Sequence, residues 1–265
     1  MPAVIMFRNG MHALLLRRCC ATITLGRTQA KPSAQDEMQS ELMRGQGSEL
    51  YANCDYGMND PYMPLEATRN LTGQALRIIA ENRFPVHIIT KSDLVLRDLD
   101  TLKQISQTYA AVSFTITTAD DALGKKVEPG ATLVSKRLAA MKTLAENDVL
   151  TGVTMMPILP FIEDSEENIR AIVEQAHANG ARYILAAFGM TMRDRQREYY
   201  YTQLDRLFPG VRERYERAFG ERYSAPANHP RQLEKLFHEL CARYGIATHM
   251  PLYTLQKRMT QPSLF

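Results

Sequence analysis

Short apolar runs that end in polar residues recur along the chain and alternate with stretches of helical period. Residues 48–54 pass into Gly57-Met58-Asn59-Asp60-Pro61-Tyr62, residues 85–90 into Lys91-Ser92-Asp93, and residues 111–115 into Thr117-Thr118-Ala119-Asp120-Asp121. Two further runs, 149–156 and 183–188, complete five predicted strands. Between them, 72–83 sets Ala75, Leu76, Ile79 and Ala80 on one helical face, and 99–109 and 133–147 also read as helices. Asp164-Ser165-Glu166-Glu167 reads as a helix start in which a capping side chain is followed three residues later by glutamate, and Gly180 as the end of that helix.

Alternating strands and helices with short connections predict an α/β fold: a parallel sheet, curled towards a barrel and covered by helices. In such sheets the carboxyl ends of the strands carry the chemistry, so the polar tips should share one mouth. Pro61 and Pro64 stiffen the first tip and present Asn59, Asp60 and Glu66 in a set geometry.

From residue 193 the pattern changes. Residues 193–222 are dense in Arg and Tyr and broken at Pro209-Gly210, and 230–244 is a final helix with Leu233, Leu236, Phe237 and Leu240 on one face. Asp194, Glu198, Asp205, Glu213, Glu216 and Glu221 largely offset the arginines, which favours an ion-paired helix face over a phosphate grip. Tyr199-Tyr200-Tyr201 cannot all face one way on a helix, so some are core. The expected organisation is an atypical basic leader over 1–35, a partial barrel over 36–192, and a helical extension over 193–265 that packs on it.

Composition narrows the picture. At 265 residues the chain can bury the core of one domain, and a net charge of +3 argues against a dedicated nucleic-acid coat. No apolar run approaches the roughly 18 to 20 residues that span a bilayer. Four cysteines, two of them adjacent, make no disulfide framework and fit a reducing cytoplasm. The first 35 residues hold Arg8, Arg17, Arg18, Arg27 and Lys31 and no acid before Asp36. A mitochondrial transit peptide and a non-native leader on a truncated domain both fit that composition, while the apolar stretch at 12–16 is too short for a secretory signal. His87, inside an apolar strand, reads as a hydrogen-bonded core residue, and the other histidines lack metal-ligand spacing.

Several segments, in this order, resemble one family: Asn59-Asp60-Pro61-Tyr62-Met63-Pro64-Leu65-Glu66, Ile88-Ile89-Thr90-Lys91-Ser92 with Leu96-Arg97-Asp98, Val112 to Thr118, Glu128-Pro129 with Arg137, and Pro157-Ile158-Leu159-Pro160 before Glu163-Asp164-Ser165. Over about residues 35–255 the chain is similar to the spore photoproduct lyase-like branch of the radical SAM superfamily, also called DNA repair photolyase-like proteins. The resemblance implies a partial (β/α)6 TIM-like barrel, here altered or truncated at its N-terminus. It also implies a [4Fe-4S] cluster that cleaves S-adenosylmethionine reductively to a hydrogen-abstracting 5′-deoxyadenosyl radical, with nucleic acid as a substrate class. Asn59, Asp60 and Tyr62 would then approach the methionine amino group, and Lys91 and Ser92 the carboxylate or ribose. Ser113, Thr115 and Thr117 would share the side of their strand that faces the mouth, and Arg137 would clamp a carboxylate, the alternative being that it pairs with Glu128 or with exposed acids. The family holds its cluster with Cys-x3-Cys-x2-Cys, a spacing found nowhere among Cys19, Cys20, Cys54 and Cys241. No metal ligand is therefore assigned. A clusterless protein that binds a nucleoside-like ligand or a protein partner stands as the alternative to an active enzyme, and a different α/β-barrel enzyme would need a Gly-rich phosphate loop for which Phe188-Gly189-Met190 is a poor match.

Overall fold

In the computed structural model the described residues are 60–192, 194–251 and 253, with 194 and 195 described by backbone alone. The predicted strand at 48–54, Asn59, the basic leader, Cys19, Cys20 and Cys54 lie outside them. Four parallel strands, β1 (Val86–Thr90), β2 (Ala110–Thr115), β3 (Leu150–Met155) and β4 (Tyr183–Ala186), pair in chain order. Ala247 adds a parallel bridge to Tyr183 at the β4 edge. The sheet is an open partial barrel among the described residues.

Helices fill the connections: α1 (Glu66–Arg69), α2 (Leu71–Glu81), a 3-10 helix (Asp93–Asp98) leading into α3 (Leu99–Ser106), α4 (Asp121–Val127), α5 (Val134–Ala145) and α6 (Glu166–Ala178). Beyond β4 come β5 (Gly189–Thr191), α7 (Asp194–Leu207), α8 (Val211–Phe219), β6 (Ser224–Pro226) and α9 (Pro230–Tyr244). β5 and β6 form an antiparallel pair, so the chain on either side of residue 193 shares a ribbon.

The period of two along each strand divides the sheet into two faces. Val86, Ile88, Val112, Phe114, Val153, Met155 and Ile184 face the helices and join one core with Leu76 and Ile79 of α2, Leu102 of α3, Met141 of α5, Ile172 of α6 and Phe237 of α9. The alternate residues, His87, Ile89, Ala111, Ser113, Thr115, Leu150, Gly152, Thr154, Tyr183 and Leu185, take the inner face. Half of them carry a polar group, unlike the helix side. A second core of Leu159, Met190, Met192, Tyr201, Leu204, Tyr215 and Phe219 ties α7 and α8 to the turn after β3.

Some local expectations hold and others change. Strand β2 ends at Thr115, the last residue of the apolar run, where Arg137 takes the carbonyl oxygen of Thr115. The helix after β3 is capped by Ser165, whose hydroxyl accepts the N–H of Asn168, so asparagine stands where a glutamate box was expected. Helix α4 has no apolar period long enough to announce it, and Asp120 starts it by accepting the N–H of Ala122. Gly180 adopts φ +84 just past α6, as a helix-ending glycine does. The arginine-rich helices are ion-paired as expected: Arg212 binds Asp205 and Glu216, and Arg197 binds Glu221. No described helix is long and apolar enough to cross a membrane.

Candidate functional site at the strand ends

The register stacks the inner-face residues in layers. Deepest are His87, Ala111 and Leu150, then Ile89, Ser113, Gly152 and Tyr183, and nearest the carboxyl ends Thr115, Thr154 and Leu185, with Lys91 directly after the last residue of β1. Around this upper layer the loops place Asp60, Thr117, Glu128 and Glu163.

Asp60 fastens the first rim loop to β1. One carboxylate oxygen accepts the Thr90 hydroxyl at 2.6 Å and the Tyr62 N–H at 2.8 Å, and the other accepts the Lys91 N–H at 2.6 Å. The loop is braced from behind. The Tyr62 hydroxyl donates to Asp98, Arg97 donates to the same carboxylate and to the Glu66 carbonyl, and Glu66 accepts the Thr72 N–H.

Lys91 forms an ion pair with Glu128, which also receives Arg137 at 2.8 Å. Burial alone would raise the Glu128 carboxyl, but the charges of Lys91 and Arg137 outweigh it and hold the group below the ordinary glutamate range. Lys91 and Arg137 stand against two carboxylates, Glu128 and the Asp60 group on the Lys91 N–H, so the rim carries charges of both signs. Across the mouth, Glu163 is 1% exposed and accepts the Thr117 hydroxyl at 2.7 Å and the Leu159 N–H at 3.1 Å. Burial pushes its carboxyl up to about 8, against the pull of those two hydrogen bonds. Asn168 splices the two loops that hold this pair, donating to the carbonyls of Thr117 and Glu163 and accepting the Ala119 N–H.

The structure brings some of the predicted residues together and separates others. Asp60, Lys91, Thr115 and Thr117 gather at the strand ends. Arg137 reaches the same place but is 2% exposed, with Nε on the Thr132 carbonyl, Nη1 on the Thr115 carbonyl and Nη2 on Glu128. The guanidinium expected to clamp a ligand carboxylate clamps Glu128 instead. Tyr62 turns into the helix-side core, and Ser92 caps the 3-10 helix by accepting the Leu94 N–H. Ser113 lies one layer down, 2.8 Å from His87 Nε2 and 2.6 Å from the Tyr183 hydroxyl. His87 is the hydrogen-bonded core histidine that its apolar strand predicted, and burial lowers it to about 4, so it is neutral.

Thr154 is the site residue that the sequence reading missed. It lies on β3 beside Thr115 and Leu185, and its Oγ1 is buried without a hydrogen-bond partner. Unpaired buried hydroxyls are costly, so a polar group that reached this inner-face atom would be favoured there. The alternation of 150, 152 and 154 was the only available signal, and it does not reveal the missing partner.

A mouth with the Lys91 ammonium at its rim and threonine hydroxyls on its inner face fits the carboxylate and ribose of S-adenosylmethionine. The iron-sulfur cluster finds no such fit among the described residues, where no group of His, Cys, Asp and Glu could hold a metal ion and the one described cysteine, Cys241, is buried in the helix-side core.

No family model matches the chain. An uncharacterized protein of Methanocaldococcus jannaschii is 38% identical over 109 residues, covering 41% of this chain and 41% of that protein. An uncharacterized protein of Mycobacterium tuberculosis strain H37Rv is 27% identical over 194 residues, covering 72% of this chain and 57% of that protein. The radical SAM Nalpha-GlyT isomerase of Pseudomonas phage M6 is 24% identical over 129 residues, 49% of this chain and 26% of the isomerase. The chain thus spans between about a quarter and three fifths of the length of these relatives. Among solved structures, the radical S-adenosylmethionine methyltransferase TsrM from Kitasatospora setae superposes with a TM-score of 0.54 at 14% identity, over 91% of this chain and 51% of that one. A cysteine-to-alanine mutant of spore photoproduct lyase with dinucleoside spore photoproduct gives 0.51 at 15% identity, over 69% and 56%. The half-barrel described above, with its polar rim at the carboxyl ends of parallel strands, has the fold of the radical SAM enzymes.

Proposed function

We propose that this chain binds S-adenosylmethionine at the carboxyl ends of β1 to β3, as a radical SAM-type protein of the spore photoproduct lyase-like kind. The observation that carries the reading is the unpartnered Thr154 hydroxyl near the carboxyl ends of the strands, at the same end of the sheet as Lys91, which directly follows β1. Lys91 would attract the methionine carboxylate, Thr154 would hydrogen-bond a polar group of the cofactor, and Asp60 would hold the rim loop in place through Thr90 and the Lys91 amide. Glu163, mostly protonated at neutral pH, would add no negative charge to that mouth. When bound and reductively cleaved, the cofactor supplies a 5′-deoxyadenosyl radical.

Reductive cleavage needs a cluster, and the residues described here do not supply one. The second reading is therefore a clusterless protein that binds the cofactor or another adenosyl compound without radical chemistry, and the missing Cys-x3-Cys-x2-Cys spacing favours it. Nucleic acid is the substrate class that accompanies the first reading, supported by the segments shared with the spore photoproduct lyase-like branch.

Calorimetric titration with S-adenosylmethionine tests the binding. Wild-type protein should bind one equivalent, Thr154→Val should bind about tenfold more weakly for one lost hydrogen bond, and Lys91→Met more weakly still. No binding, or equal binding by all three, overturns the proposal. Iron analysis after anaerobic reconstitution separates the two readings, since the radical enzyme requires roughly four irons per chain.

A further inference from the structure

β2 and β4 are not neighbours. β3 lies between them, so their backbones are two strand spacings apart, roughly 9.5 Å, and side chains of equal height do not ordinarily meet across that gap. Ser113 on β2 and Tyr183 on β4 nevertheless hydrogen-bond at 2.6 Å. The residue between them in the register is Gly152, and a Cβ at that position would collide with three carbons of the Tyr183 ring. The ring therefore lies over Gly152, with its hydroxyl locked to Ser113 and Ser113 locked to His87. All three side chains are fully buried. The layer above differs: Lys91 and Leu185 are half-buried and the Thr154 hydroxyl has no partner.

We infer that Tyr183 is a specificity-determining residue that forms the floor of the mouth and limits how deeply a ligand can enter the half-barrel. The inference rests on reading the strand ends as the binding site. A group that enters from there meets one layer of side chains before the ring, and one layer is two residues of strand rise, roughly 6.6 Å. That depth takes a single substituent or the edge of one ring. The substrate is consequently a larger molecule that lies across the mouth and projects one group into it, and a small molecule enclosed within the barrel is excluded.

The floor can be tested with p-cresol, which has the shape of the tyrosine side chain. Ligand-observed NMR and melting curves should show no p-cresol binding by wild-type protein or by Tyr183→Phe, which keeps the ring. Tyr183→Ala should bind p-cresol and regain part of its lost melting temperature at millimolar ligand. Should the alanine variant fail to fold, Tyr183→Leu leaves a smaller void that should admit benzene. Binding of p-cresol by wild-type protein with contacts to Ser113, or no guest binding by either cavity variant, overturns the inference. S-adenosylmethionine titrated into wild-type protein decides the cofactor reading separately, because the p-cresol result does not depend on the cofactor.

Discussion

Thr117, just past β2, donates its hydroxyl to the carboxyl group of Glu163, 46 positions further along the chain and just before α6. This buried contact joins two loops on one side of the mouth, where the charge of Glu128 raises the Glu163 carboxyl and that of Lys91 lowers it. A carboxyl that folding moves from 4.5 to about 8 binds one more proton in the folded than in the unfolded state between those values. Stability should therefore fall as pH rises from about 4.5 to about 8, by at most about 1.4 kcal/mol per pH unit from this group. His87, lowered from 6.5 to about 4, contributes the opposite slope below 6.5, so urea midpoints should slope downward in wild-type protein between about 6.5 and 8, and Glu163→Gln, which keeps the shape and cannot ionise, should lose that slope.

Asp60 predicts a different outcome. Its carboxylate receives the Thr90 hydroxyl and the N–H groups of Tyr62 and Lys91. Asp60→Ala leaves these donors without that acceptor and should cost roughly 2–4 kcal/mol in urea denaturation. Cofactor affinity should drop as well, because the Lys91 backbone loses its anchor.

The Lys91–Glu128–Arg137 group should fail asymmetrically. Glu128→Gln leaves Arg137 buried without a counter-charge and should cost about 3 kcal/mol. Arg137→Lys keeps a cation but cannot reach the Thr132 carbonyl, the Thr115 carbonyl and Glu128 together, and should cost about 1–2 kcal/mol. The Glu128 carboxyl is held below its ordinary 4.5, so its contribution is present above that pH and fades as pH falls through the lowered folded value. Acid unfolding of Glu128→Gln should lack that component.

Gly152 and Tyr183 should show coupled energetics. Gly152→Ala forces the ring from its seat and should destabilise the protein by roughly 2 kcal/mol or more. In a Tyr183→Ala background the same change meets no ring and should be nearly neutral, so chemical denaturation of the four proteins should give a large interaction energy.

The amino-acid sequence determined the elements and their polarity. Apolar runs closed by polar tips placed β1 to β4 and marked their carboxyl ends, because strand and helix formation follow local period and capping residues that lie within a few positions of one another. It also placed Asp60, Lys91, Thr115 and Thr117 at the rim, since each follows or ends an apolar run. Helix α4 and the β5–β6 ribbon escaped notice because short elements carry too few periodic positions. Only the tertiary structure decided what those residues do. Arg137 binds Glu128 and two carbonyls, Tyr183 reaches Ser113 over Gly152, and the Thr154 hydroxyl is left without a partner. These outcomes depend on strand register and on contacts between residues distant in the chain. A one-residue slip in register would turn each of these side chains to the other face, and no local pattern records which register the packed core selects.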